Sequence, residues 1–142
     1  MPPTRPAPAA GATLAAGEAF LKYYVDLLNY AYTTGDPEPF LTQSDKDCEG
    51  CQGLADYVRK INGKNGGLRG DYKNTLLDLN EISRSEDGHL RGTAAIKSGT
   101  YEEVATPGAS PLQQAGRTGT MEFALSPSPS SDWIMFEMAL RE

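Results

Sequence analysis

The chain has 142 residues, the length of one domain that buries roughly two-thirds of its unfolded surface on folding. Apolar residues make up 39% and the formal net charge is −6. That balance excludes a phosphate-backbone binder, which needs clustered Lys and Arg, so no nucleic acid is expected among the partners. The acid is concentrated. Residues 18–56 carry Glu18, Asp26, Asp36, Glu38, Asp45, Asp47, Glu49 and Asp56 against Lys22 and Lys46. The next stretch reverses sign, with Arg59, Lys60, Lys64, Arg69 and Lys73 against Asp71. A solvated surface with an uneven field accounts for this, and an acidic docking face is the alternative.

No run approaches the ~18 apolar residues of a membrane span, and no signal-peptide core is present. The opening MPPTRPAPAAGA, residues 1–12, reads as a flexible Pro/Ala-rich tether, and residues 13–142 as a single α+β domain. A tether ahead of a folded domain is expected to follow a signal that was cut away, with Met1 then foreign to the mature protein.

Thr13 is placed to cap a helix running to about Thr34. Phe20, Tyr23, Tyr24, Leu27, Leu28 and Ala31 share one face, which Leu21, Val25 and Tyr32 widen. Gly35 ends it as a residue that tolerates a left-handed backbone. Asp36 is expected to cap a short second helix with Pro37 at its first position and Phe40 and Leu41 buried. Ser44 or Asp47 is expected to cap a third, running to about Asn62, with Cys51, Leu54, Ala55, Val58 and Ile61 inward. Gly50 and Gly53 weaken its first turns by up to ~1 kcal/mol each relative to Ala.

Residues 63–67 read as a turn or loop, and from Tyr72 the period shifts towards two. Tyr72–Ile82 is predicted as a strand with a bulge near Leu76–Leu77. Asp87-Gly88 signals a two-residue hairpin turn. Leu90, Gly92, Ala94 and Ile96 alternate on the next strand, which Tyr101–Val104 is expected to extend, and residues 105–117 are predicted as a long mobile loop. Met121, Phe123 and Leu125 point inward on the following strand. Ile134, Phe136, Met138 and Leu140 share one face of the last, with Trp133 and Met135 on the other. Three helices followed by about four antiparallel strands, each with one apolar face, predict helices packed on one side of a single sheet.

Cys48-Glu-Gly-Cys51 is the motif with chemical content. Zinc needs about four ligands, and the chain offers two thiols and one histidine, His89. A redox centre expects an electropositive surround, whereas Asp45, Asp47 and Glu49 crowd this one with negative charge. A reduced, buried pair is a further reading. The favoured one is a structural disulfide between Cys48 and Cys51 in an oxidising compartment, a local staple across a glycine-weakened helix start.

Seven tyrosines stand against four phenylalanines. A buried tyrosine needs a partner for its hydroxyl, so such a group often lines a wet or ligand-filled cavity. The candidate pocket residues are Tyr23, Tyr24, Leu27, Tyr30, Tyr57, Phe123 and Phe136. The simpler and preferred reading leaves the helical tyrosines at the core edge with their hydroxyls in water. Catalysis is poorly supported and neither metal nor cofactor is expected. His89 lies at a hairpin where exposure is expected, and Asp78, Glu122 and Glu137 read as outward-facing.

The run YYVDLLNYAYTTGDPEPF, an aromatic-rich helix ending in Gly-Asp before two more helices and an antiparallel sheet, resembles the nuclear transport factor 2-like superfamily. That implies a cone-shaped domain with a cavity between helices and curved sheet, in a superfamily of binding modules, dimerisation domains and isomerases. More narrowly, YYVDLLNYAYTTGD, SDKDCEGC and LADYVRK, with ISRSEDG and the Trp133 strand beyond, resemble a family of actinobacterial envelope lipoproteins defined only as domain of unknown function 6318. The resemblance spans about Gly17 to Leu140. It implies an extracytoplasmic domain anchored to the outer face of the cell membrane by a lipid absent from this chain. The expected role is a non-enzymatic binding or interaction module, monomeric or homodimeric, with a small ligand or an envelope protein as partner. The alternative is an isomerase- or dehydratase-like enzyme acting in the cone. No catalytic residues come with the resemblance.

Overall fold

Thr13 and Gly35 bound the first helix as their chemistry predicts. The computed structural model describes residues 1–61, 67–104 and 108–141 and places α1 at Leu14–Thr34. The Thr13 hydroxyl accepts the Ala16 N–H at 3.0 Å, and Gly35 takes φ 78°. Phe20, Leu21, Tyr23, Tyr24, Val25, Leu27, Leu28 and Ala31 are all buried, so α1 is covered on two sides.

The second helix, α2, spans Glu38–Thr42. Asp36 Oδ1 accepts the Glu38 N–H at 3.0 Å, but Pro37 takes the cap position, one residue later than expected. The third, α3, spans Glu49–Ile61, and the expected end at Asn62 lies outside the described residues. Neither Ser44 nor Asp47 caps it. Cys48 does: its carbonyl accepts the Gln52 N–H at 3.0 Å and its sulfur the Cys51 N–H at 3.2 Å. Ser44 is drawn away because the chain here runs along a strand edge, with the Asp45 N–H on the Met135 carbonyl at 2.7 Å.

Among the described residues seven strands follow in two sheets: β1 Gly67–Gly70, β2 Thr75–Arg84, β3 Leu90–Ser98, β4 Tyr101–Val104, β5 Leu112–Gln114, β6 Arg117–Pro127 and β7 Trp133–Arg141. Four form the antiparallel sheet β2-β3-β6-β7, the expected number, and three form a smaller sheet, β1-β4-β5. Tyr101–Val104 therefore does not extend β3. It turns away at Gly99-Thr100, where the Asp71 N–H meets the Thr100 carbonyl at 3.0 Å and the Gly99 N–H the Asp71 carbonyl at 2.9 Å. It pairs instead with Gly67–Gly70, which begins at the last residue of the expected 63–67 turn, and with Leu112–Gln114, expected as loop.

The hairpin loop is longer than two residues. Arg84 pairs with Leu90, the Ser85 N–H meets the His89 carbonyl, and Gly88 takes φ 84°, as in a three-residue loop closed by a glycine bulge.

Curvature comes from irregular pairing. The β2–β3 register slips between Leu76 and Glu81, near the predicted bulge. Gly92 sits mid-strand, where a Cβ would overlap the Glu81 carbonyl oxygen. The β6–β7 register slips at Ala124/Leu125, leaving Phe136 as the extra residue. This bulge splits the expected face of β7: Trp133 and Met135 point into the core before the slip and Met138 after it, while Phe136 is half-buried and Leu140 exposed.

The core lies between α1 and the concave side of the larger sheet, with Leu90, Ala94, Met121, Leu125, Trp133 and Met135 against Phe20, Leu21, Tyr24 and Leu27. The Trp133 indole N–H donates to the Thr13 carbonyl at 2.7 Å.

Of the first twelve residues, expected as a flexible tether, Arg5, Ala9, Gly11 and Ala12 pack or bond onto the domain. Ala7–Ala9 form a short 3₁₀ turn and Ala9 is fully buried. The Arg5 guanidinium stacks over Phe20 at 5.0 Å and Tyr23 at 5.4 Å. It donates to Gln43 Oε1 at 2.5 Å and to the Trp133 carbonyl at 3.1 Å. A Pro/Ala-rich composition hides this because one arginine supplies the anchor.

Candidate functional site

The C-terminal end of α1, the middle of α3, the smaller sheet and the last residues of the larger one do not close completely. They leave a cavity of about 200 Å³. Tyr32 reaches it from α1, Tyr57 from α3, Tyr101 from β4, and Tyr72 and Asn74 from the segment entering β2. That segment is pinned to α1 by a paired amide contact. Asn29 Nδ2 donates to the Asn74 carbonyl and the Asn74 N–H to Asn29 Oδ1, both at 2.8 Å. The Tyr72 hydroxyl lies 2.9 Å from Thr33 Oγ1.

The tyrosine rings meet at steep angles. Tyr32 and Tyr57 are 6.3 Å apart at 84°, and Tyr32 and Tyr72 6.5 Å apart at 81°. The Tyr57 hydroxyl donates to Glu103 Oε1 at 2.7 Å, and Gln114 Nε2 donates to Glu103 Oε2 at 3.3 Å. Burial, and then the Glu103 carboxylate it bonds, push the Tyr57 phenol well above its ordinary value. Burial, with Tyr101 nearby, pushes Tyr32 up to about 12. Both remain neutral phenols at any ordinary pH. Arg117 and Arg141 border the opening, and Arg141 Nε is held by Glu122 Oε1 at 2.6 Å.

Of the seven residues expected to line a pocket, Tyr57 alone reaches this cavity. Tyr23 and Leu27 are buried in the core, Tyr23 beneath Arg5. Tyr24 is buried, its hydroxyl 2.7 Å from Ser44 Oγ and 3.1 Å from Cys51 Sγ. Neither the pocket nor the preferred wet-edge reading describes Tyr24, because internal partners satisfy its hydroxyl. Tyr30 is half-buried away from the cavity. Phe123 is buried opposite Gly92 and borders a shallow groove along the acidic side of the sheet. Phe136 packs on His89, ring centroids 4.4 Å apart, so His89 is half-buried and not exposed as expected.

The residues missed are Tyr32, Tyr72 and Tyr101. A signal existed: two lone tyrosines beside glycine turns, at Gly70 and Gly99, where strands begin. It has meaning only once the C-terminal end of α1 is known to meet those turns.

Cys48 and Cys51 are joined as a disulfide, fully buried, so their sulfurs are committed to each other and not to a metal. The carboxylates of the sheet's other side are engaged with arginine: Glu137 lies 3.7 Å from Arg91, and Glu122 holds Arg141. Asp78 is exposed. Among the described residues no helix is long and apolar enough to cross a membrane.

A layer of helices over a curved antiparallel sheet, with a cavity at one end, is an α+β fold. The chain belongs to the family described as "Family of unknown function (DUF6318)", whose model matches residues 1–135. Among solved structures, it is similar to the intermembrane space region of the chloroplast protein ARC6. That likeness has 16% identity and a TM-score of 0.67, covering 91% of this chain and 96% of that one. It is also similar to Aln2 from a Streptomyces species, at 11% identity and a TM-score of 0.54, covering 88% of this chain and 90% of that one. At these identities the likenesses show the fold alone. No curated protein matches the chain.

Proposed function

We propose that the protein is a non-enzymatic binding module of the cell envelope, holding a small ligand in the tyrosine-walled cavity. The observation that carries the reading is the cavity of about 200 Å³ itself, walled by four tyrosine rings with Asn74, Ser98 and two arginines as polar lining. The extracytoplasmic location is supported by the Cys48–Cys51 disulfide, since such bonds persist in oxidising compartments. Anchoring by a lipid belongs to the same proposal and draws on the resemblance to envelope lipoproteins.

The alternative, an isomerase- or dehydratase-like enzyme, draws on the Tyr57–Glu103 pair. The pair is poorly suited to moving protons. Glu103 already accepts two hydrogen bonds, which weakens it as a base, and the Tyr57 proton is held more firmly than in free tyrosine.

The test is an NMR titration of the full chain with a panel of small polar and aromatic compounds, read at the ring resonances of Tyr32, Tyr57, Tyr72 and Tyr101. Saturable shifts confined to those rings, with every added compound recovered unchanged, are expected. Conversion of a bound compound, lost in Glu103→Gln, would establish the enzyme instead. Shifts confined to another surface would remove the cavity as the site.

A further inference from the structure

We propose that the ligand class of this cavity is a small organic cation, an ammonium or quaternary ammonium group; the proposal rests on reading the cavity as a ligand site. Four features point the same way. Tyr32 stands nearly perpendicular to both Tyr57 and Tyr72, at 84° and 81°, and Tyr101 closes the set from β4. Rings arranged as a box can offer their electron-rich faces from several directions, which is the environment that stabilises a desolvated cation.

The second feature is the direction of the Tyr57 hydrogen bond. Its proton goes to Glu103 at 2.7 Å, so what the phenol oxygen offers elsewhere is a lone pair. Donation to a carboxylate also makes that oxygen and its ring richer in electrons. A ligand that needs an acceptor, or simply negative potential, is favoured over one that needs a donor.

Third, Glu103 follows Tyr101 by two positions on β4, so both side chains leave the same face of the smaller sheet. A carboxylate therefore stands beside the aromatic wall, against the Tyr57 hydroxyl. Its charge is not consumed by a lysine or arginine in the contacts described, since its partners are the neutral Tyr57 and Gln114.

Fourth, the size fits. A volume of about 200 Å³ equals roughly six or seven waters at the ~30 Å³ each occupies in the liquid. That admits a headgroup of several heavy atoms.

The two arginines at the opening argue for an anion and define the competing outcome. Arg141 is tied to Glu122 on the other side of the sheet, and Arg117 is exposed at the rim, where its charge is screened by solvent. The Glu103 carboxylate, by contrast, bonds one of the cavity's own rings through the Tyr57 hydroxyl.

The experiment compares three probes of similar shape on the full chain by calorimetry and by NMR at the four rings. The probes are choline, its neutral isostere 3,3-dimethylbutan-1-ol, and the anion 3,3-dimethylbutanoate. Choline is expected to bind roughly tenfold more tightly than the neutral isostere, the span of one desolvated cation–π contact. Glu103→Gln is expected to weaken choline several-fold while leaving the neutral isostere unchanged. A melting curve for each variant separates lost affinity from lost fold, and Tyr32→Phe, which keeps the ring, is expected to retain binding. Equal or tighter binding of the alcohol or the carboxylate would overturn the cation assignment while leaving the ligand cavity standing. No saturable shift of these rings with any of the three would overturn both.

Discussion

Asp87 accepts a hydrogen bond from the Ser85 hydroxyl and another from the His89 backbone N–H at 3.0 Å, with Arg91 at 3.3 Å beside it. Together these hold its carboxyl at about 2, below the ordinary 3.8. The folded value lies under the unfolded one, so the stabilisation is complete above about 3.8 and is lost as pH falls through about 2. An NMR titration from pH 6 to 1.5 should show the His89 amide of the β2–β3 turn moving with a midpoint near 2, and Asp87→Asn should abolish that step. Tyr24 and Tyr57 show at the same scale how partners decide a side chain's use. Tyr24 has its hydroxyl satisfied inside the core, by Ser44 and the disulfide sulfur, and serves as packing. Tyr57 has its proton drawn to Glu103 at the edge of an open space.

The third helix shows what two similar glycines can mean. Gly50 sits where α3 lies on β7, and a Cβ there would overlap the Met138 carbonyl oxygen. Gly53 has nothing within 4 Å of where its Cβ would be. Gly53→Ala should therefore stabilise the protein by about 0.5–1 kcal/mol through helix propensity alone. Gly50→Ala should destabilise it by more than that, because backbone must move to admit the methyl group. Thermal melts followed by circular dichroism should move in opposite directions for the two. The staple before them acts on the same element. Closing a loop of about four residues contributes ~2 kcal/mol, so Cys51→Ser should lower the melting temperature by several degrees under oxidising conditions. With the disulfide fully reduced the two proteins should melt together; an equal loss in both conditions would show that packing, not the cross-link, is what Cys51 supplies.

Legibility follows the range of the force involved. The Thr13 cap, the Gly35 terminus and the alternation of β3 and β6 are settled within a few residues, and each is readable directly from the chain. Phe136 is not, because its direction is set by a slip beside Ala124 on the neighbouring strand. β5 is three residues long with no apolar alternation, and it exists only because β4 turns away at Gly99 to offer it an edge.

At the scale of the whole molecule, the main sheet and its helical layer follow from hydrophobic period, whereas the cavity does not. Tyr32, Tyr72 and Tyr101 are separated by tens of residues, and what brings them together is a pair of hydrogen bonds between Asn29 and Asn74 and the turn at Asp71. The hydrogen-bonded pair has no local signature, and Gly70-Asp71 marks a turn without marking what it meets. The disulfide, by contrast, is readable because Cys48 and Cys51 are three residues apart in a setting of acids that suits no reactive thiol.

The strap formed by the first residues gives the molecule a direction. Arg5 is seated over Phe20 and Tyr23, while the cavity opens near Tyr32. Twelve residues of helix separate Phe20 from Tyr32, about 18 Å at 1.5 Å per residue. Any body joined ahead of Arg5 would thus hold the domain at the end of α1 remote from Tyr32, with the helix fixing the spacing. Orientation would then be a property of one arginine, not of the length of a leash.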